Sequence, residues 1–510
     1  MSRIVLEDGH TWFLHCFPQD GQPLQLYLSN NSCIEAKRVF TGVVQLIKLP
    51  RCSAPSEFES LASQCAGRWP TSVSLSAIAS TPGVAEYEFL FHTGCASRST
   101  SLLMYALSHH VETFTYPLNV YHQFRMQSTT KGEMVAVMSD KWRMKESGLP
   151  DSIAFDPPIA ERIEDDTTRL IRRVAEAEAK GDLSSESNLD SMYFSGKALD
   201  KYACLCWVIC SVVGDAELAQ RLLSKLKQAF ARFIENRQQF PLYVVNSRIL
   251  YDSHLEEDDH HFHYGYFIHT AALIAKMDEE LKNGGEWLQR NREYVNTLIR
   301  DTANADPSDE YFPLSRAFDW FHGHSWAKGL FESWDSKDQE STSEDAYFSY
   351  GLKLWGQISH NEPLEKRASL MLAIQRRVFR NYFLMEDSNK NQPARIIKNK
   401  VAGILFENKV DHTTYFGHDI RFIQGIHMIP VSPISYYIRS PVFVREEWER
   451  YFAEDQLTGD DGWKGILYSN LSIIDPDKAW EFFSREDFQT KWLDQGATRS
   501  WYLTLCSARM

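Results

Sequence analysis

The stretch Asp259-His260-His261-Phe262-His263-Tyr264-Gly265-Tyr266 places one acid, three imidazoles and three aromatic rings within eight residues. Further along, Phe318-Asp319-Trp320-Phe321-His322-Gly323-His324-Ser325-Trp326 repeats the mixture, and Glu340-Ser341-Thr342-Ser343-Glu344 follows it. Aromatic planes beside acids and imidazoles suit a sugar, whose ring has apolar faces and a rim of hydroxyls. One acid far along the chain from a second pair of carboxylates is also what acid/base cleavage of a glycosidic bond needs.

Working outward, the residues before this stretch read as β-rich and those around and after it as helical, which makes the chain multidomain α+β. Short alternating or apolar runs recur at Thr11 to Cys16, Leu24 to Leu28, Val39 to Leu49, Val73 to Ile78, Ala85 to His92, Ser101 to Leu107, Glu112 to Tyr116 and Glu133 to Met138. Gly, Pro, Ser and Asn separate them, so residues 1–150 are expected to form a β-sandwich. Its start is abrupt, as though the first strands were missing. Residues 151–190 read as a small linking region: an acidic turn from Asp151 to Pro158, a charged helix from Ile159 to Ala179 and a polar linker from Gly181 to Asn188. In residues 191–510, stripes of 3.6-residue period mark helices at Tyr193 to Val213, Ala216 to Asn236, Gly265 to Leu281, Trp287 to Asn304, Ala346 to Ile358 and Leu364 to Phe379. The loops between them hold the His, Asp and Trp clusters, which suggests a helical barrel or toroid whose loops build a cleft. Glu386 to Lys400 reads as an exposed loop.

Composition narrows the partners. The 510 residues are 43% hydrophobic and 24% charged, ordinary for a globular chain. The aromatic share of 13% is high and serves either large cores or a ring-lined groove. Net charge is −14, with no basic stripe to offset it. Nucleic-acid phosphates and anionic membranes would repel such a surface, so a neutral partner is expected and no nucleic acid. No apolar run reaches 18 residues, so no membrane span is expected. Acids interrupt Met1-Ser2-Arg3-Ile4-Val5-Leu6-Glu7-Asp8 at once, so no signal core is read there. As written the chain is expected inside the cell, and at the cell wall or outside it if its start is missing. The nine cysteines are odd in number and form no CxxC pair; Cys204, Cys206 and Cys210 read as buried thiols of a helix.

His260, His261 and His263 beside Asp259 could hold zinc. No HExxH accompanies them, and adjacent histidines on an extended segment point to opposite sides, so no metal is expected. Glu340 and Glu344 are spaced i,i+4 and would share one face of a helix. An arbitrary ExxxE is a solvated acidic face, but here Trp326, Phe331 and Trp334 precede the pair and Tyr347, Tyr350 and Trp355 follow. Two close carboxylates in such a setting raise one pKa, which serves proton chemistry. Ser325, Ser333, Ser341 and Ser343 lack a GxSxG elbow, and no phosphate-binding glycine loop is present.

These motifs resemble glycoside hydrolase family 81. The resemblance extends through Tyr193-Phe194-Ser195-Gly196-Lys197, residues 409–433 with Gly425-Ile426-His427-Met428, and Leu493-Asp494-Gln495-Gly496-Ala497. Upstream it includes Thr41-Gly42-Val43-Val44-Gln45, Pro70 to Ser76 and His109-His110-Val111-Glu112. It implies a β-sandwich, a small linking domain and an (α/α)6 barrel. The implied activity is endo-acting, inverting, metal-independent hydrolysis of β-1,3-glucan without a cofactor. Asp259 matches the family's general acid, and Glu340 and Glu344 match the two glutamates from which the base is drawn, Glu340 being favoured. Tyr193, Lys197, His263, Asp319 and His324 fall on motifs that line the glucan cleft. The loop Ser253-His254-Leu255-Glu256-Glu257-Asp258 is shorter than the family pattern. A glucan-binding protein that has lost turnover through that loop is therefore the alternative.

Overall fold

The computed structural model describes residues 2–30, 32–50, 52, 54–97, 101–115, 118–150, 165–238, 243–244, 250–251, 259–453 and 459–510. The short loop before Asp259 and the acidic turn from Asp151 to Pro158 lie outside them. The chain divides into two compact units after Ser147.

The first unit is built from antiparallel strands: β1 (Ser2–Val5), β2 (Thr11–Pro18), β3 (Leu26–Asn30), β4 (Cys33–Ala36), β5 (Gly42–Lys48), β6 (Arg68–Thr81), β7 (Val84–Cys95), β8 (Leu103–Ala106), β9 (Asn119–Gln127), β10 (Glu133–Met138) and β11 (Lys141–Ser147). They pair in the orders β1-β2-β5, β8-β10-β9, β11-β7-β6 and β3-β4. Period-2 alternation explains β2, which buries Thr11, Phe13 and His15 and turns the residues between them outward. The β6–β7 hairpin turns on Pro82-Gly83, where Gly83 takes a φ of +74° that a side chain would disfavour. A helix that periodicity did not reveal, α1 (Pro55–Cys65), starts with proline at its first position and buries Phe58, Leu61, Ala62 and Cys65. These meet Phe13, Phe124 and Ala136 from three strands in one core. Of the strand expected from Glu112 to Tyr116, the described residues 112–115 form only a single antiparallel bridge, Phe114 to Met144, and Tyr116 lies outside them. Ser108–Val111 is a helical turn, α2, and the Thr113 hydroxyl donates to the carbonyls of His109 and His110 at its end.

The second unit is mainly helical: α3 (Asp165–Glu178), α4 (Leu183–Glu186), α5 (Met192–Trp207, continued by a π-helical turn, Val208–Val213), α6 (Ala216–Ile234), α7 (His260–Glu280), α8 (Glu286–Ala303), α9 (Thr342–Ile358), α10 (Glu362–Tyr382), α11 (Ala394–Ile397), α12 (Ile420–Gly425), α13 (Ser435–Ile438), α14 (Pro441–Tyr451), α15 (Trp463–Leu471), α16 (Pro476–Ser484) and α17 (Arg499–Ser507). Between them lie short strand pairs: β12 (Tyr243–Val244) with β13 (Leu250–Tyr251), and β14 (Phe318–Asp319) with β15 (His324–Ser325). A three-stranded sheet joins β16 (Asp338–Gln339), β17 (Ile404–Phe406) and β18 (Val410–Asp411). Side-chain caps start the helices where polar residues precede apolar stripes: Ser191 on α5, Asp215 on α6, Ser341 on α9 and Asn361 on α10. The segment Glu386 to Lys400 is exposed over much of its length, but Lys400 is buried between Asp387 and Glu446, at 2.5 and 2.7 Å.

The packing order is α5 on α7, α7 on α9 and α9 on α10; α17 returns to both α3 and α5. Both α7 and α9 start earlier than their apolar stripes suggested, by five and four residues. They are buried nearly all round, as helices at the centre of a layer must be. They approach closely because Gly265 has no side chain: a Cβ there would lie 3.2 Å from Phe348 Cα. Gly265→Val forces α9 to retreat and is expected to cost about 1–3 kcal/mol. A urea midpoint equal to wild type would show that the two helices do not need this contact.

Candidate active site

Asp259 is the N-cap residue of α7. Its backbone carbonyl accepts from the amides of Phe262 and His263 at 3.0 and 3.2 Å, while its carboxylate makes no capping hydrogen bond. That is unusual for an aspartate in this position, whose side chain ordinarily caps the first turn. The histidines that follow are helical rather than extended. Their rings turn to different partners. His260 Nδ1 meets Asp301 at 2.6 Å, and His261 is buried against Phe348. His263 turns toward the Tyr193 ring, 5.4 Å away.

Glu340 and Glu344 are not on one helix face. Glu340 stands between β16 and the cap residue Ser341, half-buried, with Oε2 3.4 Å from the Tyr415 amide. The Tyr415 hydroxyl donates to buried Asp338 at 2.8 Å. Its pKa is pushed up by burial first, and then by the negative charges of Asp338, Glu340 and Asp259. The negative charges of the acid and of one of the two glutamates therefore both reach the Tyr415 hydroxyl, although 81 positions separate them.

Glu344 is buried in the first turn of α9. The sequence Ser341-x-x-Glu344 has the form of a capping box, in which serine and glutamate satisfy one another's amides. Only half of it forms. Ser341 Oγ accepts from the Glu344 amide at 3.3 Å, but the Ser341 amide donates to the Gln339 side chain at 3.2 Å. The Glu344 carboxylate turns away, and its Oε1 accepts from Tyr193 and Tyr266 hydroxyls at 2.6 and 2.7 Å. Burial and the Glu344 charge raise both tyrosines well above the usual phenol range, so they remain donors. Beside Tyr193, Lys197 lies 5.3 Å from the ring centre and 3.4 Å from Asp494. Asp494 also accepts from the Gly496 amide and the Tyr502 hydroxyl.

Asp319 and His324 belong to the β14–β15 hairpin. Asp319 organises the β14–β15 turn, accepting from the amides of Phe321 and His322 and from the Trp326 indole at 3.0 Å. His324 is fully buried, packed between Trp326 and Phe383. Their hairpin docks on α9 through Asp345, which accepts from the Ser325 amide at 2.9 Å. Burial raises the Asp345 pKa to about 6.

Sequence reading assigned no role to Tyr266, Asp338, Tyr415 or Asp494. Tyr266 lay inside the quoted run and Asp494 in a matching motif. Tyr415 lay in the matching stretch 409–433 and follows β18 in the chain. Among the described residues, Asp200, Cys204 and His269 bring three possible ligand atoms within 4.8 Å of one another. His269 Nδ1 and Asp200 Oδ1 are 2.6 Å apart, a hydrogen-bond distance. Two ligands of one tetrahedral zinc would stand roughly 3.4 Å apart. The donor set therefore fits a shared proton better than an ion.

Comparison with known proteins follows this geometry. The Glycosyl hydrolase family 81 N-terminal and C-terminal domain descriptions match residues 2–159 and 162–503. A glucan endo-1,3-beta-D-glucosidase of Arthroderma benhamiae is 43% identical over 98% of this chain and 56% of its own length. The primary septum glucan endo-1,3-beta-D-glucosidase of Schizosaccharomyces pombe is 40% identical over 98% of this chain and 50% of its own. The chain thus spans about half the length of these two relatives. A solved structure of a glycoside hydrolase family 81 protein from Clostridium thermocellum superposes with a TM-score of 0.81 at 19% identity, over 99% of this chain and 68% of that one. It shows the shared fold.

Burial lowers the pKa of His261 and of His427, which packs on the first turn of α9, to about 3 each. Unfolded imidazoles bind protons below about pH 6.5. The unfolded state therefore takes up more protons between pH 6.5 and 3, and stability falls as pH falls through that window. The expected slope is up to about 1.4 kcal/mol per pH unit for each histidine. Urea midpoints between pH 7 and 4 measure it, and His261→Leu should flatten the dependence. A level wild-type profile would refute the argument.

Proposed function

Because this chain belongs to glycosyl hydrolase family 81, we propose that it hydrolyses internal β-1,3-glucosidic linkages of β-1,3-glucan by a single inverting displacement. The observation that carries the reading is that the charges of Asp259 and Glu340 both act on the Tyr415 hydroxyl, with Glu344 buried four residues beyond Glu340. Relatives named as glucan endo-1,3-beta-D-glucosidases support the choice of substrate.

In this mechanism Asp259 enters protonated and gives its proton to the glycosidic oxygen as the C1–O bond breaks. Glu340 takes a proton from water, whose oxygen bonds to C1 from the opposite face. The anomeric configuration inverts, and proton exchange with solvent resets both carboxyl groups. Inversion asks for roughly 6.5–9.5 Å between the two carboxyl groups, enough for the water. Glu340 suits the base because it is half-exposed and can meet water. Glu344 has one oxygen already holding two tyrosine hydroxyls, and its part is to orient the water or to tune Glu340. Tyr193, Lys197, His263, Asp319 and His324 border the sugar. No cofactor or metal takes part.

The layout that goes with this reading is a β-sandwich over residues 1–150, a linking region over 151–190 and an (α/α)6 barrel over 191–510. In support, α5, α7 and α9 present their first turns to one region of the second unit.

Asp259→Asn is expected to slow oligosaccharide release from linear β-1,3-glucan by about 10²–10⁴-fold, as is Glu340→Gln. NMR of the first product should find the α-anomer. Wild type no faster than Asp259→Asn would end the proposal, and glucan binding without hydrolysis would identify a binding protein instead.

A further inference from the structure

We propose that Asp200, His269 and Tyr347 form a positioning layer that aims the tyrosines of Glu344, an inference that rests on the hydrolytic reading above. The three residues come from α5, α7 and α9, the same helices that supply Tyr193, Tyr266 and Glu344. Spacing places each pair on a common face. Tyr193 and Asp200 are seven residues apart, while Tyr266 and His269, and Glu344 and Tyr347, are three apart. Each helix therefore gives one side chain to a layer at the carboxylate and one to a layer further along.

The deeper layer is dry: Asp200, His269 and Tyr347 are each 3% exposed or less. Asp200 collects its donors from the two other helices. His269 Nδ1–H donates to Oδ1 at 2.6 Å, and the Tyr347 hydroxyl donates to Oδ2 at 2.5 Å. Thr270 adds a longer contact at 3.4 Å. The Tyr347 hydroxyl also lies 2.8 Å from His269 Nδ1; with the Nδ1 proton assigned to the Asp200 carboxylate, which only accepts, the hydroxyl directs its own proton to Oδ2. A buried carboxyl group with two directional donors defines the relative rotation of the three helices far more narrowly than apolar packing does.

The two layers touch. The Tyr266 and Tyr347 rings lie 5.6 Å apart, tilted by 49°, so the position of Tyr347 sets where the Tyr266 hydroxyl points. Tyr347 and Glu344 share one turn of α9, so its rotation also sets the direction of the carboxylate. Cys204 lies in the same deep layer, with its thiol held protonated by burial and by Asp200. It offers an internal control, since it can be altered without removing any of these hydrogen bonds.

The experiment uses the full chain and linear β-1,3-glucan, with kcat expressed per folded enzyme from far-UV circular dichroism. Tyr347→Phe keeps the ring and removes the hydroxyl. It is expected to lower kcat about ten- to hundredfold with KM changed less than twofold, as a misaimed group does. His269→Asn keeps a donor near the Nδ1 position and should retain several-fold more kcat than His269→Ala. Cys204→Ala should lower the melting temperature and leave kcat unchanged. An unchanged kcat in Tyr347→Phe overturns the proposal, and so does a loss equal to that of Cys204→Ala at matched stability. If Asp259→Asn is as active as wild type, the hydrolytic reading has failed instead; if Asp259→Asn is inactive and Tyr347→Phe is not impaired, only the positioning layer has failed.

Discussion

Two tyrosine hydroxyls converging on one oxygen of Glu344 are the constraint around which the helical unit is arranged. A carboxylate taken out of water needs donors close by, or its burial is costly. Its own helix cannot supply them, because the amides of the first turn point along the axis and one is already taken by Ser341. The donors must come from other helices, so α5 and α7 have to lie against α9 at a set height and rotation. Gly265 makes this possible by letting the α7 and α9 backbones approach. The Asp200 network repeats the same solution one layer further along the three helices.

Both the acid candidate and the buried glutamate sit where a helix begins, and neither side chain is used as a cap. Asp259 leaves the first turn of α7 without a side-chain cap, and Glu344 leaves the capping box of α9 half-made. Such departures from local rules are expected where a group is kept for another task. Their local cost is met by neighbours: Gln339 accepts from the amide that Glu344 does not, and His260 is anchored through Asp301. The carboxylates remain directed at the surroundings rather than at their own backbone.

Much of the architecture was legible because periodicity reports burial. Strands β2, β3, β5, β6, β7, β8 and β10 and the middles of α5, α6, α7, α8, α9 and α10 followed their apolar patterns, whereas β1, β4, β9 and β11 lie outside the runs the pattern marked. The pattern failed at α1, whose polar residues hide a narrow apolar face, and at the starts of α7 and α9. There His260, His261, Ser343 and Glu344 are buried polar groups, and a hydrophobicity pattern counts them as surface. Glu112 to Tyr116 erred in the other direction. Its residues suit a strand, but Thr113 spends its hydroxyl on the end of a helical turn.

The sequence by itself determined the fold class and the residue types available for chemistry, since both depend on patterns within a few turns or strands. It also carried the family motifs that single out Asp259, Glu340 and Glu344. Only the tertiary structure decided that Glu340 lies outside the helix, that Tyr415 meets it and Asp338, and that Tyr193 and Tyr266 share one oxygen of Glu344. The same holds for His324, which is buried under Trp326 rather than presented on a surface. The hydrogen bonds of Glu340 and Glu344 to these tyrosines join residues 75 to 151 positions apart. Local propensity carries no information across such spans; the packing of whole helices sets them.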